Sequence, residues 1–122
     1  MKWNVEIGKW GEKVAEQFLI NNHCTIINKN YRTPYGEIDI IAEDNNEMIM
    51  VEVKTRSSLS YGFHEEAITN NKIRHLTESA EYYLQSEKYK SEIYRIDIIS
   101  VIGRPGKTNP EIKWYKNAIT EY

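Results

Sequence analysis

Two strand-like segments separated by four polar residues constrain this chain more than anything else in it. Glu37-Ile38-Asp39-Ile40-Ile41-Ala42 and Met48-Ile49-Met50-Val51-Glu52-Val53-Lys54-Thr55-Arg56 flank Asp44-Asn45-Asn46-Glu47. Short runs rich in β-branched residues and bounded by turn formers predict an antiparallel hairpin. If the loop is residues 44 to 47, Glu43 pairs with Met48, Ile41 with Met50, Asp39 with Glu52 and Glu37 with Lys54. Directly opposed side chains on one sheet face have Cβ atoms about 5 Å apart, and like charges there are destabilising unless something positive lies between them. A divalent cation would meet that need. Because side chains alternate along a strand, Glu52 and Lys54 share a face while Val51 and Val53 point to the other. Asp39, Glu52 and Lys54 are therefore expected to converge, and a three-residue loop would separate the two acids. The trio also fits an ordinary solvated sheet face. Against that stand Ile38, Ile40, Ile41, Val51 and Val53, which give both strands the apolar character of buried central ones.

The segments on either side supply helices and further strands. Ile7, Trp10, Val14 and Phe18 recur at helical spacing and predict an amphipathic helix over 5–21. On a neighbouring face Gly8 and Gly11 line up with Ala15 and Leu19. Glycine inside a helix costs about 1 kcal/mol against alanine, so two on one face suggest close approach of another backbone. Glu12 lies at the margin of that face and either leans towards the sheet or stands in solvent. Cys24 to Arg32 reads as a strand stopped by Thr33-Pro34-Tyr35-Gly36, and residues 57–69 read as a surface loop. Ile73, Leu76, Ala80, Tyr83 and Leu84 form one apolar stripe and predict a second helix from Asn70 to about Lys88. A strand over 94–102, a turn at Gly103-Arg104-Pro105-Gly106 and an edge strand over 112–116 complete the order. This order predicts an α/β fold, and 122 residues hold one core, so residues 1–122 are expected to form a single domain.

Composition removes several function classes. Net charge is −2, from 16 basic and 18 acidic residues, which is not the profile of a general nucleic-acid coat. The longest uninterrupted apolar run, Met48 to Val51, is far short of the roughly 20 residues that cross a bilayer. Residues 1–6 lack an apolar run, so no secretory signal is expected. Cys24 is the only cysteine, which excludes an internal disulfide and suggests a cytoplasmic location.

Several of these motifs together resemble a known family along nearly the whole chain. Gly8-x-x-Gly11-Glu12, Asn30-Tyr31-Arg32, Gly36-Glu37-Ile38-Asp39-Ile40-Ile41-Ala42, Val51-Glu52-Val53-Lys54-Thr55-Arg56, Arg95-Ile96-Asp97 and Asn117-Ala118 are similar to the YraN-like family of predicted endonucleases. More widely, Asp39 followed by Glu52-x-Lys54 resembles the PD-(D/E)xK nuclease superfamily, which includes restriction enzymes and archaeal Holliday-junction resolvases. The resemblance implies a restriction-endonuclease-like core, a mixed central β-sheet flanked by two main helices. It implies Asp39 and Glu52 as ligands of Mg²⁺ or Mn²⁺, Lys54 beside the attacking water, and Glu12 as a supporting acid. Ile38 stands where the superfamily has its proline. The Gln-x-x-x-Tyr helix motif of RecB-like relatives is absent, since Glu78 and Ser79 precede Tyr82 and Tyr83 at that spacing.

The donor types agree with this chemistry: oxygen ligands without a His or Cys cluster suit a hard cation and not structural zinc. His23, His64 and His75 are scattered and are expected at the surface or in packing. Arg32, Arg56, Lys72 and Arg74 are the candidates for nucleic-acid backbone contacts, the last two near a helix N-terminus. Tyr35, Tyr61 and Phe63 are candidates either for stacking on unpaired bases or for loop packing. The leading expectation is a metal-dependent endonuclease acting on DNA, branched or single-stranded, in repair or recombination; RNA is not excluded by any residue. Symmetric cutting of a junction would require a homodimer. The competing expectation is a catalytically inactive nucleic-acid-binding or scaffold protein of the same fold.

Overall fold

The hairpin at the centre of the chain closes on two asparagines. In a computed structural model, which describes residues 2–57, 70–87, 93–107 and 109–118, Asn45 and Asn46 have φ values of 54° and 68°. Two consecutive left-handed residues make the tight turn whose twist matches that of the flanking strands, and asparagine tolerates it better than most side chains. The turn is thus two residues long, and pairing runs on to Asp44↔Glu47. The register is the one expected, with Glu43↔Met48 and Ile41↔Met50.

The hairpin strands β2 (Gly36–Asp44) and β3 (Glu47–Arg56) lie inside a five-stranded mixed sheet with β1 (Thr25–Thr33), β4 (Tyr94–Ile102) and β5 (Glu111–Tyr115). The order is β1-β2-β3-β4-β5, antiparallel except for the parallel pair β3 and β4. Helices α1 (Lys2–Asn21) and α2 (Asn70–Ser86) cover opposite faces. The architecture is α/β with the restriction-endonuclease-like arrangement. The loop expected over 57–69, with Tyr61, Phe63 and His64, lies outside the described residues from 58 onward.

Each face has its own core. On the α1 side Ala15, Leu19 and Cys24 pack with Ile40, Ala42, Ile49, Val51, Ile99 and Val101. On the other, Leu76, Ala80, Tyr83 and Leu84 of α2 meet Ile38, Ile41, Met50 and Ile96. Burial pushes the Cys24 thiol up from its ordinary value, which keeps it protonated and inert at neutral pH. Helix α1 stops where His23 takes a left-handed φ of 71°, with His23 N–H donating to Ile20 O and Cys24 N–H to Leu19 O. That is a Schellman stop, and it accounts for His23.

Only one of the two helical glycines is a point of close approach. A Cβ on Gly11 would collide with the Thr55 side chain of β3, so this glycine sets how near α1 lies to the central strand. Gly8 faces open space, contrary to the expectation that both serve contact.

Candidate active site

Asp39 stands where β2 parts from β3. Pairing with β3 runs from Asp44↔Glu47 to Ile40↔Val51 and ends there. Towards β1 the partners step from Lys29↔Ile40 to Tyr31↔Ile38, and Asn30 between them is left-handed at φ 51°. The alternation of faces shifts at this point. Lys29 and Asn30 both meet α1, through Lys29 Nζ to Glu16 Oε1 at 3.1 Å and Asn30 Nδ2 donating to Glu12 Oε1 at 2.9 Å. Opposite them, Asp39 and Ile40 line an open cleft of about 180 Å³ with Glu12. Ile38 packs under α2.

Glu52 meets α2. It alternates with Val51 and Val53, which face the α1 core, and with Thr55, which abuts Gly11. The Glu52 side chain is 6% exposed and meets Lys72 Nζ of α2 at 3.1 Å and Lys54 Nζ at 3.5 Å, both at Oε2. Glu52 and Lys54 share a face as expected. Asp39 is not paired directly opposite Glu52, because the pairing of β2 with β3 ends at Ile40↔Val51.

The two carboxylates nevertheless remain coupled through the gap between the parted strands. Burial, and next the charge of Glu52, push the Asp39 carboxyl up from 3.8 to about 7; Glu12 and Glu37 add to the rise. The Val53 N–H, donating to Asp39 Oδ2 at 2.9 Å, opposes it. An acid in this state is stabilised by a nearby cation. Among the described residues no three His, Cys, Asp or Glu groups come together to hold a metal. Two carboxylates are still a sufficient protein contribution for Mg²⁺, which keeps several waters and takes other oxygens from phosphate. The donor set of Asp39 and Glu52 fits such an ion.

The expected backbone contacts are spread over the molecule. Arg32 is exposed on β1, 3.9 Å from Glu37 Oε2. Arg74 is exposed on α2 and donates to Asn71 Oδ1 at 2.8 Å. Lys72 is engaged with Glu52, and Arg56 is half-buried with its Nε lacking a hydrogen bond among the described residues. Tyr35 packs edge-on against Tyr82, with centroids 6.4 Å apart.

Sequence reading assigned no role to the residues at the far end of the sheet. Asp97, fully buried, accepts from Arg95 Nε and Nη2, from Trp114 Nε1 at 2.8 Å and from Asn117 N–H at 2.8 Å. Arg95 also reaches Asp44 and Glu47 beside the hairpin turn, and its carboxylate partners raise its pKa above the usual arginine value. The only signal in the sequence was the presence of Arg95-Ile96-Asp97 and Asn117 in the family pattern. Four donors on one buried carboxylate make this a brace that ties β5 to the hairpin.

Fold and site together define an α/β protein with a carboxylate and lysine constellation where two central strands part. The chain belongs to the uncharacterised protein family UPF0102, the YraN family, whose model matches residues 11–101 and so spans Glu12, Asp39, Glu52, Lys54 and Asp97. A UPF0102 protein of Caldicellulosiruptor saccharolyticus is 42% identical over 93% of this chain and 96% of its own. Another from Persephonella marina is 42% identical over 78% of this chain and 82% of its own. One from Fusobacterium nucleatum is 38% identical over 93% and 91% respectively.

Proposed function

We propose that this protein is a metal-dependent endonuclease that hydrolyses phosphodiester bonds in DNA. The observation that carries the reading is the hydrogen bond from Val53 N–H to Asp39 Oδ2 at 2.9 Å, which holds Asp39 against the segment that carries Glu52 and Lys54. Asp39 and Glu52 would hold Mg²⁺ or Mn²⁺, which when bound supplies Lewis-acid stabilisation of the phosphate and lowers the pKa of water. Lys54 contributes a fixed positive charge, 23% exposed and steadied by Glu52, to offset the charge that develops on the phosphate. Val53 N–H fixes the rotamer of Asp39 and leaves Oδ1 for a cation or a water. Glu12, anchored by Asn30, adds negative charge from the α1 side.

A second reading has its own support. Glu52 is matched by two lysines without any ion, as it would be in an inactive nucleic-acid-binding or scaffold protein of this fold. Incubating the purified protein with labelled single-stranded, flapped, four-way and linear duplex DNA separates the two. The nuclease reading predicts cleavage of at least one substrate with Mg²⁺ or Mn²⁺, and none with EDTA or in Asp39→Asn. Binding without cleavage under every metal condition would favour the scaffold.

A further inference from the structure

Resting on the nuclease reading, we propose that the substrate strand reaches Asp39 along the α1 side of the sheet, with its phosphates held by Lys9 and Lys13. Asp39 and Glu12 line a cleft along α1, and Lys9 and Lys13 line the same cleft. The acids there are already engaged, Glu12 by Asn30 and Glu16 by Lys29. Lys9 and Lys13 are exposed, and among the described residues neither has an ion pair with an acid. They stand one helical turn apart, with Cβ atoms about 5–6 Å from each other, a span that suits neighbouring phosphates of one strand. Three lysines and three acids line the cleft, and a divalent cation at Asp39 would add positive charge to it. Strand binding should therefore strengthen when the metal is present. None of the bases singled out in the sequence lies in this cleft.

Fluorescence anisotropy of a labelled single-stranded DNA, measured against salt in the presence of Mg²⁺, tests the route. The double variant Lys9→Gln/Lys13→Gln should bind several-fold more weakly, with the slope of log K against log salt reduced by about 1.4, near 0.7 for each lost phosphate contact. Lys113→Gln, on β5 and paired with Glu111, should leave affinity and slope unchanged. Thermal melts confirm that the double variant is folded, since glutamine and lysine have similar helix propensity. A wild-type slope in the double variant, with cleavage still lost in Asp39→Asn, would overturn the route and leave the nuclease reading intact. A wild type that neither binds nor cuts DNA would overturn both.

Discussion

Asp39 keeps its proton to about pH 7 because its ionised form is buried beside Glu52. In the unfolded chain the same carboxyl titrates near 4. Between those values the folded protein binds more protons than the unfolded one, so this group's contribution to stability falls as pH rises from about 4 to 7 and stays low above that. Replacing Asp39 with Asn removes the charge and retains an oxygen that can accept from Val53 N–H. In EDTA, Asp39→Asn should therefore melt higher than wild type at pH 8, by on the order of 2–4 kcal/mol in stability, with the difference shrinking towards pH 4. Thermal unfolding across pH measures it, and an unchanging difference would show that Asp39 is not the titrating group. Asp97 is the opposite kind of buried acid. Asp97→Ala would leave Arg95 with one partner fewer and the Trp114 N–H without its acceptor, and should cost about 3–5 kcal/mol in a denaturant titration.

The elements were legible in the sequence wherever apolar spacing was regular, as in α1, α2 and the hairpin strands. What spacing could not show was the break in alternation between Ile38, which packs under α2, and Ile40, which packs in the α1 core. Parity arguments assume uninterrupted alternation. Glu52 and Lys54 meet as that argument expects, while the pairing of β2 with β3 stops before the expected Asp39↔Glu52 pair. The helical glycines show the same limit, since periodicity puts both on one face and only the packed structure tells them apart. Gly8→Ala should stabilise the protein by about 0.5–1 kcal/mol, as alanine does in an open helix position. Gly11→Ala should destabilise it by about 1–3 kcal/mol, because Thr55 must yield or α1 must move. Melting temperatures of the two variants should shift in opposite directions, and equal shifts would contradict the close approach at Gly11.

At the scale of the whole molecule, the sheet is braced at one end and parted at the other. Arg95 and Asp97 secure the end beside the hairpin turn, whereas β2 and β3 separate beyond Ile40 and Val51, leaving Asp39, Glu52 and Lys54 around the gap. A braced end next to an opened pair of strands holds these side chains in place. On the proposed function Lys54 acts on the reacting phosphate while the carboxylates hold the cation, and cleavage by Lys54→Met in saturating Mn²⁺ separates the two roles. Activity should fall at least about a hundredfold, the usual cost of removing a charge-stabilising group, with calorimetric Mn²⁺ affinity within a few-fold of wild type. A Lys54→Met variant that cleaves DNA at the wild-type rate would contradict it.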